Sequence, residues 1–368
     1  MHTETFVRKS DSMMLKGIAI CMMLFHHCFL QGRFESFNIS LWPFSASVII
    51  HMASLCKMCV SIFSFISGYG LYLSYKNYRL SDKKDSGRWV LRQYISSFNE
   101  YFFVVLLCWI LTSLIDQRPA KVYLGAGAVR GCANAFFDFL GLANLFGTKT
   151  INGTWWYMSA AFVFIVFMPL VFRLMEYMGG VTMIALIIIL PRLIIGGFPG
   201  STGVWSFMPA YIIGAAFAFY DRQILKAFDR FSGLIRSTGS RFLLEFLLVS
   251  LTAFLFLRLP TKLFWDFKWG LFPVVFICFF VRHIRLNSPG YRFFVFLGKY
   301  ASLIFMIHSF YRGVYLNQFI YGFPHFSLVF IALAVLSLIS AVLIRGMIRL
   351  CRYDRLVSAI QKRIMQTG

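Results

Sequence analysis

The sequence predicts an all-α, polytopic membrane protein with about ten transmembrane helices and both termini in the cytoplasm. Hydrophobic residues make up 59% of its 368 residues, and charged residues only 14%. A soluble domain carries about 25% charged residues, so this chain has too little charge to cover a surface that faces water on all sides. Its apolar residues also recur in runs of about 20, the length that crosses a bilayer as a helix.

The apolar runs place these helices in order along the chain. The second run is long, which predicts a tilted or broken helix, and the eighth is short. The ten predicted spans are 14–32, 46–75, 95–115, 155–172, 181–198, 204–220, 242–259, 269–283, 298–318 and 325–345.

The basic residues predict the orientation of these spans. With the N-terminus inside, 25 of the 36 Lys and Arg residues fall on the cytoplasmic side, eight on the outer side, and three (Lys57, Arg192 and Arg312) within spans. Cytoplasmic loops carry an excess of Lys and Arg. The formal net charge of +22 therefore comes mainly from basic residues that orient the spans in the membrane. We expect no nucleic-acid partner.

One integral membrane domain is predicted over residues 1–368, with a basic cytoplasmic tail at 346–368. The first apolar run is longer than the apolar core of a secretory signal and lacks a small-residue cleavage pattern, which predicts a retained signal-anchor. The longest stretch outside the spans is 116–154, which the orientation places on the outer side. Its glycines favour a flexible or re-entrant excursion.

The eight cysteines do not suggest a disulfide framework. Most fall in or near spans, where a cysteine packs as a small apolar residue. Cys56 and Cys59 match the C-x-x-C spacing, but no second pair follows, so helix packing is favoured over a metal or redox site and no metal is expected.

Two adjacent histidines, His26 and His27, lie deep in the first span, and Lys16 lies at its entrance. On a helix, Lys16 and His27 are eleven residues apart, which puts them within about 20° of one face and about 16 Å apart along the axis. His26 points about 80° away. One interpretation of His27 is a structural histidine that hydrogen-bonds at a helix interface, and this interpretation stays open. The same geometry suits an anionic cofactor held at the surface whose reactive end reaches His27.

Five segments resemble the acyltransferase-3 family of integral membrane acyltransferases. "LKGIAICMMLFHH" is similar to its first-helix signature, with Lys16 in place of the usual Arg and His27 at the histidine position. "FSFISGYGLYLSY", "TWWYMSAAFVFIVFMPLV", "FMPAYIIGAAFA" and "LGKYASLIFMIHSF" resemble later family segments, in family order over roughly residues 10–310. The third span departs from the family's Arg-x-x-Arg, because Arg88 and Arg92 are four residues apart, although such a pair still shares a helical face.

The resemblance implies an O-acyltransferase, most simply an O-acetyltransferase of a bacterial cytoplasmic membrane. Acyl-CoA, with acetyl-CoA expected, approaches from the cytoplasm with its phosphates at Lys16, Arg88 and Arg92, where ordinary positive-inside anchoring is the alternative. His27 acts as general base on a hydroxyl of a lipid-linked or cell-surface glycan. The implied partners are thus the bilayer, acyl-CoA and a saccharide acceptor.

Further polar and aromatic residues within the spans are candidates for this site. Glu100 is assigned a catalytic role in orienting a histidine, and a structural counter-ion to Lys57, Arg192 or Arg312 is an equal alternative. Trp156 and Tyr157 fit either sugar stacking or an aromatic belt at the membrane interface. His308 either lines the acceptor side or hydrogen-bonds between helices, and the resemblance adds Ser67 to the substrate-binding set.

Two other kinds of protein compete with the enzyme. In a transporter or flippase, Lys57, Glu100, Arg192 and Arg312 would line a pathway. Transporters often have paired halves with interrupted helices, and the sequence has no such symmetry. An acyltransferase-like sensor or partner subunit without turnover is the third possibility.

Overall fold

A computed structural model describes residues 5–81, 85–235, 237–284 and 286–366. Helices account for 82% of the chain, and these four ranges contain no strand. Four of the basic residues that predict the orientation, Lys83, Lys84, Arg236 and Arg285, lie outside the described residues, as do the last two residues of the predicted tail.

Seventeen helices follow one another along the described chain. They are α1 (Lys9–Phe29), α2 (Ala46–Leu55), α3 (Met58–Leu80), α4 (Ser86–Asp116), α5 (Arg118–Tyr123), α6 (Ala128–Phe139), α7 (Trp156–Met178), α8 (Gly180–Ile195), α9 (Val204–Phe219), α10 (Asp221–Leu234), α11 (Thr238–Arg258), α12 (Thr261–Asp266), α13 (Phe272–His283), α14 (Pro289–Phe310), α15 (Asn317–Tyr321), α16 (Phe326–Leu350) and α17 (Tyr353–Gln366). Short 3-10 turns precede α6 and α7, and π-helical turns precede α13 and follow α14.

Eight helical segments of the described chain are long and apolar enough to cross a membrane. Two shorter apolar helices, Gly180–Ile194 and Val204–Phe219, coincide with the fifth and sixth predicted spans. The prediction of an all-α, polytopic membrane protein is therefore confirmed. Several helices extend beyond the predicted spans, as α4 does by starting at Ser86, because a helix continues through polar residues that an apolar run excludes.

The long second span is broken, as its length predicts. It forms α2 and α3, which are separated at Cys56 and Lys57. Ser45 caps the start of α2 by accepting a hydrogen bond from the Val48 N–H. The C-x-x-C sequence thus lies across a helix break. Among the described residues there is no group of three or more His, Cys, Asp or Glu side chains that could hold a metal ion.

The segment 116–154 is helical in its first part, through α5 and α6, and continues through turns over residues 140–152. Pro119 lies in the first turn of α5, where proline is well suited because the first helical N–H groups have no intrahelical partner. Gly127 has φ 93°, a conformation that favours glycine, and it separates the 3-10 turn from α6. Gly127 and Gly141, which both have positive φ, therefore flank α6, whereas Gly131 lies inside it.

The chain forms two compact units, each built from separate stretches of sequence. The first comprises Met1–Asn77, Met168–Ala301 and Tyr321–Ile331. The second comprises Tyr78–Phe167, Ser302–Ile320 and Ala332–Gly368.

Within the first unit, helices α1 and α14 touch backbone to backbone at two glycines. A Cβ on Gly17 would overlap the carbonyl of Phe294, and one on Gly298 would overlap the carbonyl of Met13. Small residues allow this approach between membrane helices, which have no water-driven attraction to hold them together. Gly17 follows Lys16 directly, so this contact fixes the helix that carries Lys16 and His27.

Helices α3 and α9 of the same unit meet in the same way. A Cβ on Gly68 would overlap the carbonyl of Tyr211, and one on Gly214 would overlap the carbonyl of Phe65. Gly70, two residues along α3, has nothing within 4 Å of such an atom. The requirement for glycine is thus specific to the face of α3 that meets α9.

The predicted orientation can be tested with two native cysteines. Cys132 on α6 and Cys351 after α16 are both exposed. We expect a membrane-impermeant maleimide to label a variant that retains only Cys132 in intact cells. A variant that retains only Cys351 should be labelled only after the membrane is opened, because that end is predicted to be cytoplasmic. Equal labelling in detergent is the control, and the reverse pattern in cells would invert the topology.

Candidate active site

Helix α1 carries Lys16 and His27, the two residues that the sequence predicts to act together. The helix runs from Lys9 to Phe29 without a break, so one helix carries both. At 1.5 Å and 100° per residue, they are about 16 Å apart along the axis and about 20° apart around it. Both side chains are half-buried. A cation and an imidazole therefore share one face of a helix that is fixed by close glycine contacts.

His26 contacts the backbone of a neighbouring helix. Its Nδ1 lies 2.8 Å from the carbonyl oxygen of Ala53 on α2, and it donates to that oxygen in the tautomer that carries the proton on Nδ1. The rings of His26 and His27 meet edge to face, with 5.3 Å between their centroids. Histidine side chains often hydrogen-bond between membrane helices, and His26 takes that role between α1 and α2.

Ser67 lies on α3, in the segment FSFISGYGLYLSY that resembles a family segment. Its side chain is half-buried. The next two residues hold the first unit together: Gly68 packs against α9, and the Tyr69 hydroxyl donates to Asp221 Oδ1 at 2.7 Å. The structure therefore gives Gly68 and Tyr69 a packing role, and the substrate-binding role of Ser67 stays a prediction.

Arg88 and Arg92 lie in the first two turns of α4, in the second unit. Asp85 caps this helix by accepting from the Arg88 N–H at 3.1 Å, and its Oδ2 pairs with Arg88 Nε at 2.8 Å. Arg92 is exposed. Residues four apart share a helical face, and the start of a helix favours anions. This arrangement suits a phosphate group.

Glu100, also on α4, pairs with Arg345 of α16 and accepts a hydrogen bond from Ser302 of α14. The side chains of Arg345 and Glu100 are only 24% and 15% exposed. A largely buried carboxylate needs such partners, because burial of a lone charge is costly. This environment is that of a counter-ion, but its partner is Arg345 and not Lys57, Arg192 or Arg312 as the sequence predicts. The catalytic role of Glu100 stays a prediction.

Trp156 and Tyr157 begin α7 and are both half-buried. Their rings meet at 89°, with centroids 5.8 Å apart. Trp156 lines a cavity of about 270 Å³ in the second unit, together with Trp155 and Tyr101. Tyr157 instead packs edge to face against Phe305, at 6.1 Å. The structure thus places Trp156, but not Tyr157, at a polar cavity.

His308 is fully buried on α14. Its Nδ1 lies 2.8 Å from the carbonyl oxygen of Phe305 and 3.2 Å from that of Ile304, both in the preceding turn of its own helix. These contacts differ from the interhelical hydrogen bond that the sequence offers as an alternative. Its substrate-binding role stays a prediction.

The three basic residues predicted within spans have defined surroundings. Arg192 forms a two-point ion pair with Asp266, with Nε to Oδ2 at 2.8 Å and Nη2 to Oδ1 at 2.6 Å. Lys57 Nζ lies 4.6 Å from the centroid of the Trp269 ring, in cation–π distance. Arg312 is buried in the π-helical turn after α14. For Arg192 and Lys57 these contacts explain how a cation is tolerated at membrane depth.

Sequence reasoning missed Asp138. It ends a hydrogen-bonded chain in the second unit, in which Trp109 Nε1 donates to the Tyr123 hydroxyl and that hydroxyl donates to Asp138 Oδ2, at 3.0 and 2.5 Å. Asp138 is 1% exposed. A signal was present in the sequence, because Asp138 is the only acidic residue between Asp116 and Glu176. A lone carboxylate in a Gly, Ala and Phe-rich segment deserves a functional hypothesis.

The candidate residues divide between the two compact units. Lys16, His27 and Ser67 belong to the first. The second contains the remaining ones, which are Arg88, Arg92, Glu100, Trp156, Tyr157 and His308.

The family model for the acyltransferase-3 family, described as an acyltransferase domain, matches residues 13–346. This match covers nearly the whole chain and extends beyond the five segments that resemble the family. No curated protein matches the chain significantly. No solved structure does so either.

Proposed function

The chain belongs to the acyltransferase-3 family, and from this premise we propose that it is a membrane O-acyltransferase that uses acyl-CoA as donor. The acyl group, expected to be acetyl, moves from the cytoplasmic donor to a hydroxyl of a lipid-linked or cell-surface glycan. The observation that carries the proposal is the pairing of Lys16 and His27 on one face of the unbroken helix α1.

His27 is the proposed general base. Its neutral imidazole takes the proton of the acceptor hydroxyl while that oxygen attacks the carbonyl carbon of the thioester. The carbon–sulfur bond then breaks, the thiolate of CoA leaves, and the proton on His27 passes to it. The products are an O-acyl ester and free CoA, and His27 is neutral again. The helix contacts at Gly17 and Gly298 support this role, since a general base must be held within reach of the proton that it accepts.

The donor phosphates are assigned to Lys16, Arg88 and Arg92. Lys16 supplies a point charge without the planar fork of the family's arginine. Arg88 would exchange its contact with Asp85, an exposed ion pair of the kind worth about 0–1 kcal/mol, for a phosphate. The start of α4 adds the favourable field of a helix N-terminus. The physical chemistry of each residue therefore supports an anionic ligand.

The transporter alternative is not favoured. A pathway needs charged side chains that are available to the cargo, but Arg192 is bound to Asp266, Glu100 to Arg345, and Lys57 lies over Trp269. Membership of an acyltransferase family points the same way.

An acyl-transfer assay tests the proposed function. Purified protein in lipid nanodiscs is incubated with radiolabelled acetyl-CoA and with lipid-linked saccharides extracted from the source membrane. We expect label to move into the saccharide fraction as a base-labile ester. A failure to label any saccharide, with protein that is folded and binds acetyl-CoA, would contradict the proposal.

Loss of the assigned cations should weaken the use of the donor. We expect Lys16→Ala, Arg88→Ala and Arg92→Ala each to raise the KM for acyl-CoA, because a charge-assisted contact is worth about 1.5–3 kcal/mol, or about 10- to 150-fold in affinity. Lys16→Arg should bind at least as well. Arg79→Ala, an exposed arginine on the same predicted side, is the control. Unchanged KM in all three alanine variants would identify them as topological anchors.

A further inference from the structure

An apolar cavity of about 430 Å³ lies within the first unit, bounded by α9, α10, α11 and α13. Among the described residues of its wall, only Glu245 and Arg282 are charged. The rest of the wall is aromatic and aliphatic, and includes Phe228 from α10, Val249 from α11 and Val275 from α13. A concave site with such walls takes an apolar ligand.

The two charged residues of the wall are paired with each other and with their neighbours. Arg282 Nη2 lies 3.0 Å from Glu245 Oε1 and donates to Ser232 Oγ at 3.2 Å. The guanidinium also lies over the Phe228 ring, 4.7 Å from its centroid. His283 Nε2 lies 2.6 Å from Glu245 Oε2. A charge that is paired in this way needs no counter-charge from a ligand, so the cavity suits a neutral hydrocarbon.

Helix α10 is held over the apolar cavity by the segment that precedes α1. The Phe6 ring stacks on Phe228, with centroids 5.3 Å apart, and contacts Phe217 at 5.8 Å. Asp221 Oδ1 accepts from the Phe6 N–H at 2.8 Å and from the Tyr69 hydroxyl at 2.7 Å. These contacts fix the wall in place, so a ligand does not have to order it on binding.

Helix α10 also connects the sixth and seventh predicted spans, which places it at a membrane surface. Arg222, Lys226 and Arg230 are exposed on it, and their spacing of four residues gives α10 a cationic face. Asp229 is the one exposed acidic residue of α10, all of which the structure describes. An amphipathic helix with a cationic face lies in the plane of the membrane interface and attracts anionic lipids.

The apolar cavity opens toward the hydrocarbon of the bilayer. Leu248 of α11 lines the cavity and is nevertheless 51% exposed, on a helix that crosses the membrane. One turn of a helix with its side chains fills roughly 500 Å³, from a diameter of about 11 Å and a pitch of about 5.4 Å. The cavity is therefore too small to take in a partner helix, and it suits a single flexible chain.

We propose that the apolar cavity binds one acyl chain of an anionic phospholipid, whose headgroup lies at the level of the cationic face of α10. The surrounding bilayer is as apolar as the cavity, so apolar transfer alone does not favour the cavity. Close packing against the aromatic wall and the charge of the headgroup supply the preference. The site is independent of the proposed acyl transfer, in which this lipid takes no part.

Photocross-linking tests the site with the protein in nanodiscs. Phosphatidylglycerol with a diazirine near the end of one acyl chain is included at a low fraction, and the modified peptides are identified by mass spectrometry after irradiation. We expect cross-links on the cavity residues of α10, α11 and α13. Val249→Trp should lose them, because the indole takes the space of the chain. Leu247→Trp is the matched control and should keep them, since this exposed residue of α11 points about 200° away.

Phosphatidylcholine with the same photoreactive chain tests the choice of headgroup. We expect phosphatidylglycerol to give the stronger cross-links at the cavity. Lys226→Gln should reduce this excess by about fivefold, the usual effect of one basic residue near an anionic surface. Lys362→Gln should leave the excess unchanged, because Lys362 is an exposed lysine of α17 in the second unit.

The outcomes separate this inference from the proposed function. Val275→Trp repeats the cavity-filling test from α13, and thermal unfolding shows that each variant is folded. Cavity cross-links that both folded variants retain would overturn the proposal. Absence of these cross-links in the unsubstituted protein would overturn it too, and a dimer that protects the same peptides would identify a second copy of the chain as the occupant. Equal cross-linking by the two lipids would overturn the anionic headgroup, whereas a negative acyl-transfer assay leaves all these results unaffected.

Discussion

His27→Ala is expected to lower kcat for acyl transfer by about 10²–10⁴-fold, the usual contribution of a positioned histidine base. Donor binding should change little, because the phosphate contacts are assigned to other residues. The apparent melting temperature should also change little, since alanine leaves no buried charge behind. The measurement is kcat and KM with radiolabelled acetyl-CoA in nanodiscs, together with thermal unfolding of the same preparation.

The neighbouring histidine is the control for this prediction. His26 Nδ1 lies at the carbonyl of Ala53, so His26→Ala should remove a structural hydrogen bond and destabilise the protein by about 0.5–1.5 kcal/mol. We expect it to retain most of its activity. His26→Gln and His27→Gln control for side-chain volume and polarity. Full activity in His27→Gln would refute the mechanism, and an equal loss in both would indicate a distorted α1.

The fold was largely predictable from composition and periodicity. Membrane-spanning segments have to be apolar along most of their length, so they can be recognised as long apolar runs in the sequence. The break at Lys57 was also foreseeable, because the second run exceeds one crossing. The helices of 116–154 were not, since α5 and α6 are short and their order comes from tertiary hydrogen bonds such as Tyr123 to Asp138.

The site was predictable only where its residues lie on one helix. The relation of Lys16 to His27 follows from helical geometry, which needs no tertiary information. The partners of His26, Glu100 and Arg192 come from elsewhere in the chain, so no spacing in the sequence reveals them. Asp138 was missed for the same reason, because its burial depends on Ile151 and Tyr123 folding around it.

Glu100→Gln is expected to lower the free energy of unfolding by about 3 kcal/mol, because it leaves the largely buried Arg345 without its carboxylate partner. The figure is at the lower end for a buried pair, since both side chains keep some exposure. Arg345→Met should destabilise the protein similarly by removing the cation that balances the Glu100 carboxylate. The double variant Glu100→Gln/Arg345→Met removes both charges and should recover much of the loss. Thermal unfolding in one detergent measures the interaction energy of this cycle.

The same four proteins distinguish a counter-ion from a catalytic carboxylate. A counter-ion acts only through Arg345, so the kcat of the double variant should return toward that of the unsubstituted protein along with its stability. A Glu100 that orients a histidine acts on the reaction itself, and its loss would leave the double variant stable but slow. Because Glu100 is already engaged by Arg345 and Ser302, we expect the first result. A stable double variant with a low kcat would refute the counter-ion role and support the catalytic one.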